Sequence, residues 1–244
     1  MVFNHNFFNT NADGKLLNYS FNIPNLYYDS VNFTNYGQVV FAFCPNLTII
    51  NSIYIKKLRK NDYTIEQKTS GIGDIDIGAK VQIMKFAEGV LSGQILTKIP
   101  WAYEKDNKLP LGNGQFDFEM RLLYGHTLYP VIPGYCNFEF GYRWRLQEPS
   151  DEIRYLIEIG LDIIKNIYGR VKLDGIFSAD NGKDIDSKGN PTATNNYNIG
   201  KLDAVIGYKI NKHWGLEAGY TPSIYGKNTA KGNNYTLAIT YQMP

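Results

Sequence analysis

Residues Gly73-Asp74-Ile75-Asp76-Ile77-Gly78-Ala79-Lys80-Val81-Gln82-Ile83 alternate in polarity. Ile75, Ile77, Ala79, Val81 and Ile83 take every second position, and Asp74, Asp76, Lys80 and Gln82 fall between them. Successive side chains of a strand point to opposite faces, so this pattern describes a ribbon lying between an apolar and a polar medium. The period recurs downstream. Phe116, Phe118, Met120, Leu122 and Tyr124 oppose Asp117, Glu119 and Arg121, while Cys136, Phe138, Phe140, Tyr142, Trp144 and Leu146 oppose Glu139, Arg143 and Arg145. A sheet with one oily and one charged face is either a soluble sandwich or a barrel in lipid. That choice decides the function.

The chain has 244 residues, enough for one large β domain, and is rich in Tyr (19), Phe (13) and Gly (23). No apolar run approaches the roughly 20 residues that a helix needs to span a bilayer. Transmembrane barrels evade that criterion because only alternate positions meet lipid. The formal net charge of +2 and the scattered basic residues argue against a nucleic-acid partner. Cys44 and Cys136 are too few for a disulfide scaffold, and on a barrel they are expected on opposite walls, too far apart to bond. Residues 1–14 lack the charged start, apolar core and small-residue cleavage site of a secretory signal, so a signal peptide is read as absent from this chain. They are read as an N-terminal extension, and residues 15–244 as a transmembrane β-barrel.

Strands are expected near 15–23, 37–44, 47–58, 72–84, 90–100, 115–125, 135–146, 151–164, 167–178, 197–210, 214–224 and 233–243. Most have about the 9–11 residues that cross a bilayer at a tilt. The connections alternate long and short along the chain, as the outer loops and periplasmic turns of an outer-membrane barrel must. Two depart from their class: 147–150 is shorter than expected and 126–134 longer. From 72–84 onward no outward strand position carries Asp, Glu, Lys or Arg. Lipid demands this, because a mid-membrane charge costs about 2–4 kcal/mol. A soluble sandwich would need Greek-key crossings, of which the simple hairpin series gives no sign. A lipocalin-like barrel uses about eight strands, and twelve would leave an apolar cavity too wide to fill. Tyr124, Tyr208, Trp214 and Tyr241 fall near the short-turn edge, and Phe116, Trp144, Tyr155, Phe177, Tyr220 and Tyr235 near the other. Tyr and Trp favour membrane interfaces, although strands also favour aromatic residues in general. The expected fold class is therefore all-β: a single antiparallel up-and-down transmembrane β-barrel of about 12 strands.

Several motifs carry a family likeness. Gly71-Ile72-Gly73-Asp74 opens the alternating strand; Leu91-Ser92-Gly93-Gln94-Ile95-Leu96-Thr97-Lys98-Ile99-Pro100 precedes Leu109-Pro110-Leu111-Gly112-Asn113-Gly114-Gln115-Phe116; residues 135–145 and 219–241 complete the set. Together, over roughly residues 36–244, they resemble the outer-membrane channel family of meta-pathway phenol-degradation transporters. The resemblance implies a monomeric twelve-stranded barrel in the outer membrane that admits small hydrophobic or aromatic compounds. The chain ends Tyr241-Gln242-Met243-Pro244, whereas such barrels commonly finish on an aromatic residue.

The inward register of the middle strands concentrates charge: Asp117, Glu119 and Arg121, then Glu139, Arg143 and Arg145, then Arg154 and Glu158, then Arg170, Lys172 and Asp174. Opposite charges on adjacent strands lie close enough to pair. They either brace the wall or form a lumen constriction. Their balance of signs predicts no strong ion selectivity. An enzyme is not expected, since His5, His126 and His213 form no triad or metal-spaced cluster, and neither cofactor nor metal is implied. The acidic stretch 179–190 lacks the closing Glu of a calcium loop. The expected function is passive uptake of small hydrophobic or aromatic molecules, with the lipid bilayer and these solutes as partners. The alternative is a closed barrel with a structural, adhesive or binding role through its external loops.

Overall fold

The computed structural model describes residues 2–12, 27–40, 46–61, 66–101, 103, 104, 107, 110–183, 196–229 and 231–242. These form strands β1 (Val2–Ala12), β2 (Tyr27–Val40), β3 (Leu47–Asn61), β4 (Glu66–Lys85), β5 (Gly89–Ile99) and β6 (Asp117–Thr127). They continue as β7 (Gly134–Arg145), β8 (Glu152–Ile164), β9 (Ile167–Ser178), β10 (Asn198–Lys209), β11 (Trp214–Lys227) and β12 (Asn233–Gln242). Each strand is antiparallel to its sequence neighbour, and β1 also pairs with β12, so the sheet order runs round a closed barrel. The all-β, up-and-down architecture expected from the alternation is what the structure shows.

From β5 on, strand positions lie within about three residues of those expected, the uncertainty usual at element ends. β3 also starts where expected, but the other early strands differ, and β2 begins ten residues before the strand expected over 37–44 (27 against 37). β1 lies in the stretch read as an extension, and the strand expected over 15–23 falls outside the described residues, as does Cys44. β4 begins six residues before the expected strand (66 against 72), because a register shift opposite Ile53 and Ile55 breaks the alternation at Gly73-Asp74. Ile72 and Ile75 both remain outward, and pairing continues beyond the break from Gly71 to Glu66. His126, expected in a turn, lies in β6 and stacks on Tyr124. The short link between β7 and β8 stays short because Asp151 knits it down. Its carboxylate accepts the Arg145 backbone N–H at 2.7 Å and the Asn181 amide at 2.8 Å from the β9–β10 connection.

Polarity is inverted relative to a protein that folds in water. The large exposed residues include Ile77, Val81, Met120, Leu122, Phe140, Ile157, Ile206, Leu216 and Leu237, whereas Asp117, Glu119, Arg143, Glu152 and Asp203 are buried. Among the described residues, buried apolar side chains are limited to Leu111, Val205 and Ala238. A surface this oily is stable against hydrocarbon, and the charged register then faces the lumen. Outward aromatics gather at both strand ends. Tyr155, Phe177 and Tyr225 stack with centroids 5.5 and 5.8 Å apart at the long-loop end, and Phe86 meets Tyr124 edge-on at the short-turn end.

Placing Arg at Leu122, outward at mid-strand, is expected to destabilise the barrel in phospholipid vesicles by about 2–4 kcal/mol, measured by urea titration of its fluorescence. A negligible cost would contradict lipid contact at this face.

Candidate functional site

The antiparallel register of β6 and β7 sets Asp117 opposite Arg145 and Glu119 opposite Arg143. Glu119, almost wholly buried, is the hub. It accepts from Arg121 at 2.7 Å, from Arg143 at 2.9 Å and from Arg154 on β8 at 3.4 Å. Arg121 also binds Glu139, and Arg145 bridges to Glu152 at 3.0 Å while lying 3.6 Å from Asp117. Arg154 closes the circuit onto Glu152 at 3.1 Å. The seven expected residues from Asp117 through Arg154 therefore form one connected array on the inner wall of β6–β8. Charges so arranged offset their desolvation through forked, multiply hydrogen-bonded geometry.

The other expected residues lie apart from it. Glu158 sits opposite Lys172 in register but accepts the Tyr135 hydroxyl at 2.9 Å and the Asn137 amide at 3.2 Å instead. Lys172 turns to Asp203 on β10 at 3.2 Å, with Asp174 at 3.9 Å. Arg170 reaches across β10 to Glu217 on β11 at 3.0 Å, and Tyr168 donates to the same carboxylate at 2.7 Å. Asp203 and Glu217 occupy inward strand positions, so the alternation that found the others could have found them too.

One contributor has no such signal. Among the described residues of the connection between β5 and β6, Tyr103 and residues 110–114 fold against the inner wall. Tyr103 donates to Asp74, the Gly114 N–H donates to the Tyr103 hydroxyl at 2.7 Å, and Lys98 donates to Asn113 Oδ1 at 2.7 Å. Gly114 makes the turn at φ 69°, a region that favours glycine. Leu111 is buried against Gly71 and Gly73, where a Cβ would collide with it, and its carbonyl accepts Lys56 Nζ from β3 at 2.7 Å. Burial and the neighbouring Asp74 carboxylate push the Tyr103 phenol above its ordinary range, so it remains a donor. Lys98, which also binds Asp117, ties this inward segment to the charged array.

At the short-turn end lies a cavity of about 670 Å³ lined by Tyr129, Tyr135, Tyr168, Asp162, Lys209 and Trp214, among others. The rings of Tyr135 and Tyr168 lie flat over Gly160 and Gly207, where no Cβ would fit. Tyr129 donates to Asp162 at 3.0 Å, and Lys209 binds the same carboxylate at 2.7 Å.

The fold is shared with outer-membrane barrels of known structure. An outer-membrane channel from Pseudomonas putida F1 is similar over 98% of this chain and 94% of its own, with a TM-score of 0.78 and 13% identity. The NanC porin is similar over 99% and 100%, with a TM-score of 0.60 and 7% identity. A KdgM porin in complex with disordered oligogalacturonate is similar over the whole of both chains, with a TM-score of 0.58 and 6% identity. No family model matches the chain, and no curated protein matches it in sequence. At these identities the likeness is one of fold.

Glu119→Leu would strand three guanidiniums around a vacated position. The expected loss is about 3–5 kcal/mol in the same urea titration, against about 1 kcal/mol or less for Glu139→Gln at the more exposed end of the array. Equal costs for the two would contradict the hub.

Proposed function

We propose that this chain is a monomeric twelve-stranded outer-membrane barrel acting as a non-enzymatic channel for passive uptake of small hydrophobic or aromatic molecules. The observation that carries the reading is the inverted polarity: an oily exterior around an interior of charges and hydroxyls. Such an interior has a use when water and solutes enter it. Side-chain exposure of Arg170 and Asp174, inside the barrel, supports a water-accessible lumen along β9. The neighbours described as channels and porins support the outer membrane as its place and transport as its role. The tyrosine-lined cavity supports aromatic solutes, because flat rings stack on exposed ring faces.

A second reading has its own support. The array on β6–β8 and the inward β5–β6 segment both narrow the lumen, as a closed barrel working through its loops would require. Single-channel recording in planar bilayers separates the two. The channel reading expects discrete conductance steps from the purified chain, together with uptake of small aromatic solutes into proteoliposomes. Silent bilayers and impermeable liposomes would favour the closed barrel. Releasing the inward segment by Tyr103→Phe combined with Asn113→Ala is expected to enlarge or destabilise the conductance steps. Unaltered steps would mean that this segment does not bound the path.

A further inference from the structure

The ion pairs of the lumen are lopsided in exposure. At Arg154–Glu152 the base is 24% exposed and the acid 5%; at Arg170–Glu217 the values are 30% and 9%, and at Lys172–Asp203 24% and 12%. Arg121 and Glu119 show the same order, 16% against 1%. The cause is stem length. Asp and Glu lie close to the wall, where neighbouring hydroxyls such as Thr221 on Asp203 and Tyr168 on Glu217 cover them, while Arg and Lys extend past them with the charged tip outermost. Three acids escape this rule: Glu139 at 19% against 16% for Arg121, Asp174 at 39% against 24% for Lys172, and Asp74, level with Lys98 at 11%. Asp174 lies 3.9 Å from Lys172 and directly opposite Lys201 in register.

A near balance of acids and bases therefore does not make a neutral surface. We propose that the open side of the lumen, on β8–β10, is an anion-preferring path whose selectivity is set by Arg154, Arg170 and Lys172, and that carboxylate-bearing small solutes pass in preference to cations of the same size. The inference rests on the channel reading above. The inward β5–β6 segment and the buried carboxylates of the array narrow the lumen beside this path, and among the described residues of β8–β10 these three exposed tips outnumber the exposed acid Asp174. A low-dielectric wall bearing one sign of exposed charge concentrates ions of the other.

The test is the reversal potential of the full-length barrel in a KCl gradient across a planar bilayer, repeated with potassium benzoate. The unaltered barrel is expected to favour chloride over potassium and to pass benzoate. Two charge-balanced variants, Arg170→Gln with Glu217→Gln and Lys172→Gln with Asp203→Asn, leave the lumen's formal charge unchanged. Each is expected to lower the chloride-to-potassium permeability ratio about twofold or more. Gel mobility that differs between heated and unheated samples identifies the folded variant, and either one suffices. A conducting barrel that prefers potassium, or whose preference the folded variants leave untouched, overturns this inference alone. A silent bilayer overturns the channel reading and this inference with it.

Discussion

Hydrocarbon supplies no hydrogen-bond partner, so every backbone N–H and C=O within it must be satisfied by the chain itself. A sheet meets that demand by leaving no edge, and here the pairing of β1 with both β2 and β12 removes both edges at once. Everything else follows from the same solvent. Each strand is antiparallel to its neighbours, since short turns can then join them, and each has one register for lipid and one for the lumen. The outward register can hold Leu, Ile and Phe without the aggregation such a surface would bring in water. The inward register is free to take charge, and it takes a great deal.

A charged interior is tolerable when its charges are shared. Glu119 accepts from three guanidiniums on three successive strands, and Lys98 ties Asp117 to the β5–β6 segment. Breaking such a pair leaves one charge buried alone, which is far worse than never having had the pair. The array is thus a brace as well as a lining. It pins β5 through β8 to one another from inside, where aliphatic packing would do that work in a protein with an apolar core.

What could be read from residues alone was set by period. The Ile75–Ile83 alternation placed a strand with its faces correctly assigned, and two such strands put Glu119 and Arg143 on the same inner face, while the register that sets them opposite each other came from the structure. The reading failed where period fails. At Gly73-Asp74 one extra residue keeps Ile72 and Ile75 on the same side, and a strict two-residue rule ends the strand there. The partnership of Arg170 with Glu217 skips a strand, so it depends on how the sheet curves rather than on any local spacing. Tyr103, Leu111 and Asn113 lie in a connection with no period at all, and nothing in their spacing indicates that the segment turns inward.

Charge in the lumen raises a further question of reach. Counting signs along the inward register treats a carboxylate and a guanidinium as equal, and predicts indifference. The two differ in length, and length decides which one water reaches. An Asp ends about two bonds from its Cα and an Arg about five or six, so on a concave wall the paired acid is shaded by its own partner. Hydroxyls on Thr221 and Tyr168 deepen the shade by covering carboxylate oxygens from the wall side. At Glu119, Glu152, Asp203 and Glu217 the acid lies within and its base faces the aqueous space, whereas Glu139 and Asp174 stand out beside theirs. Potential in the lumen then follows from stem length and pairing rather than from net composition.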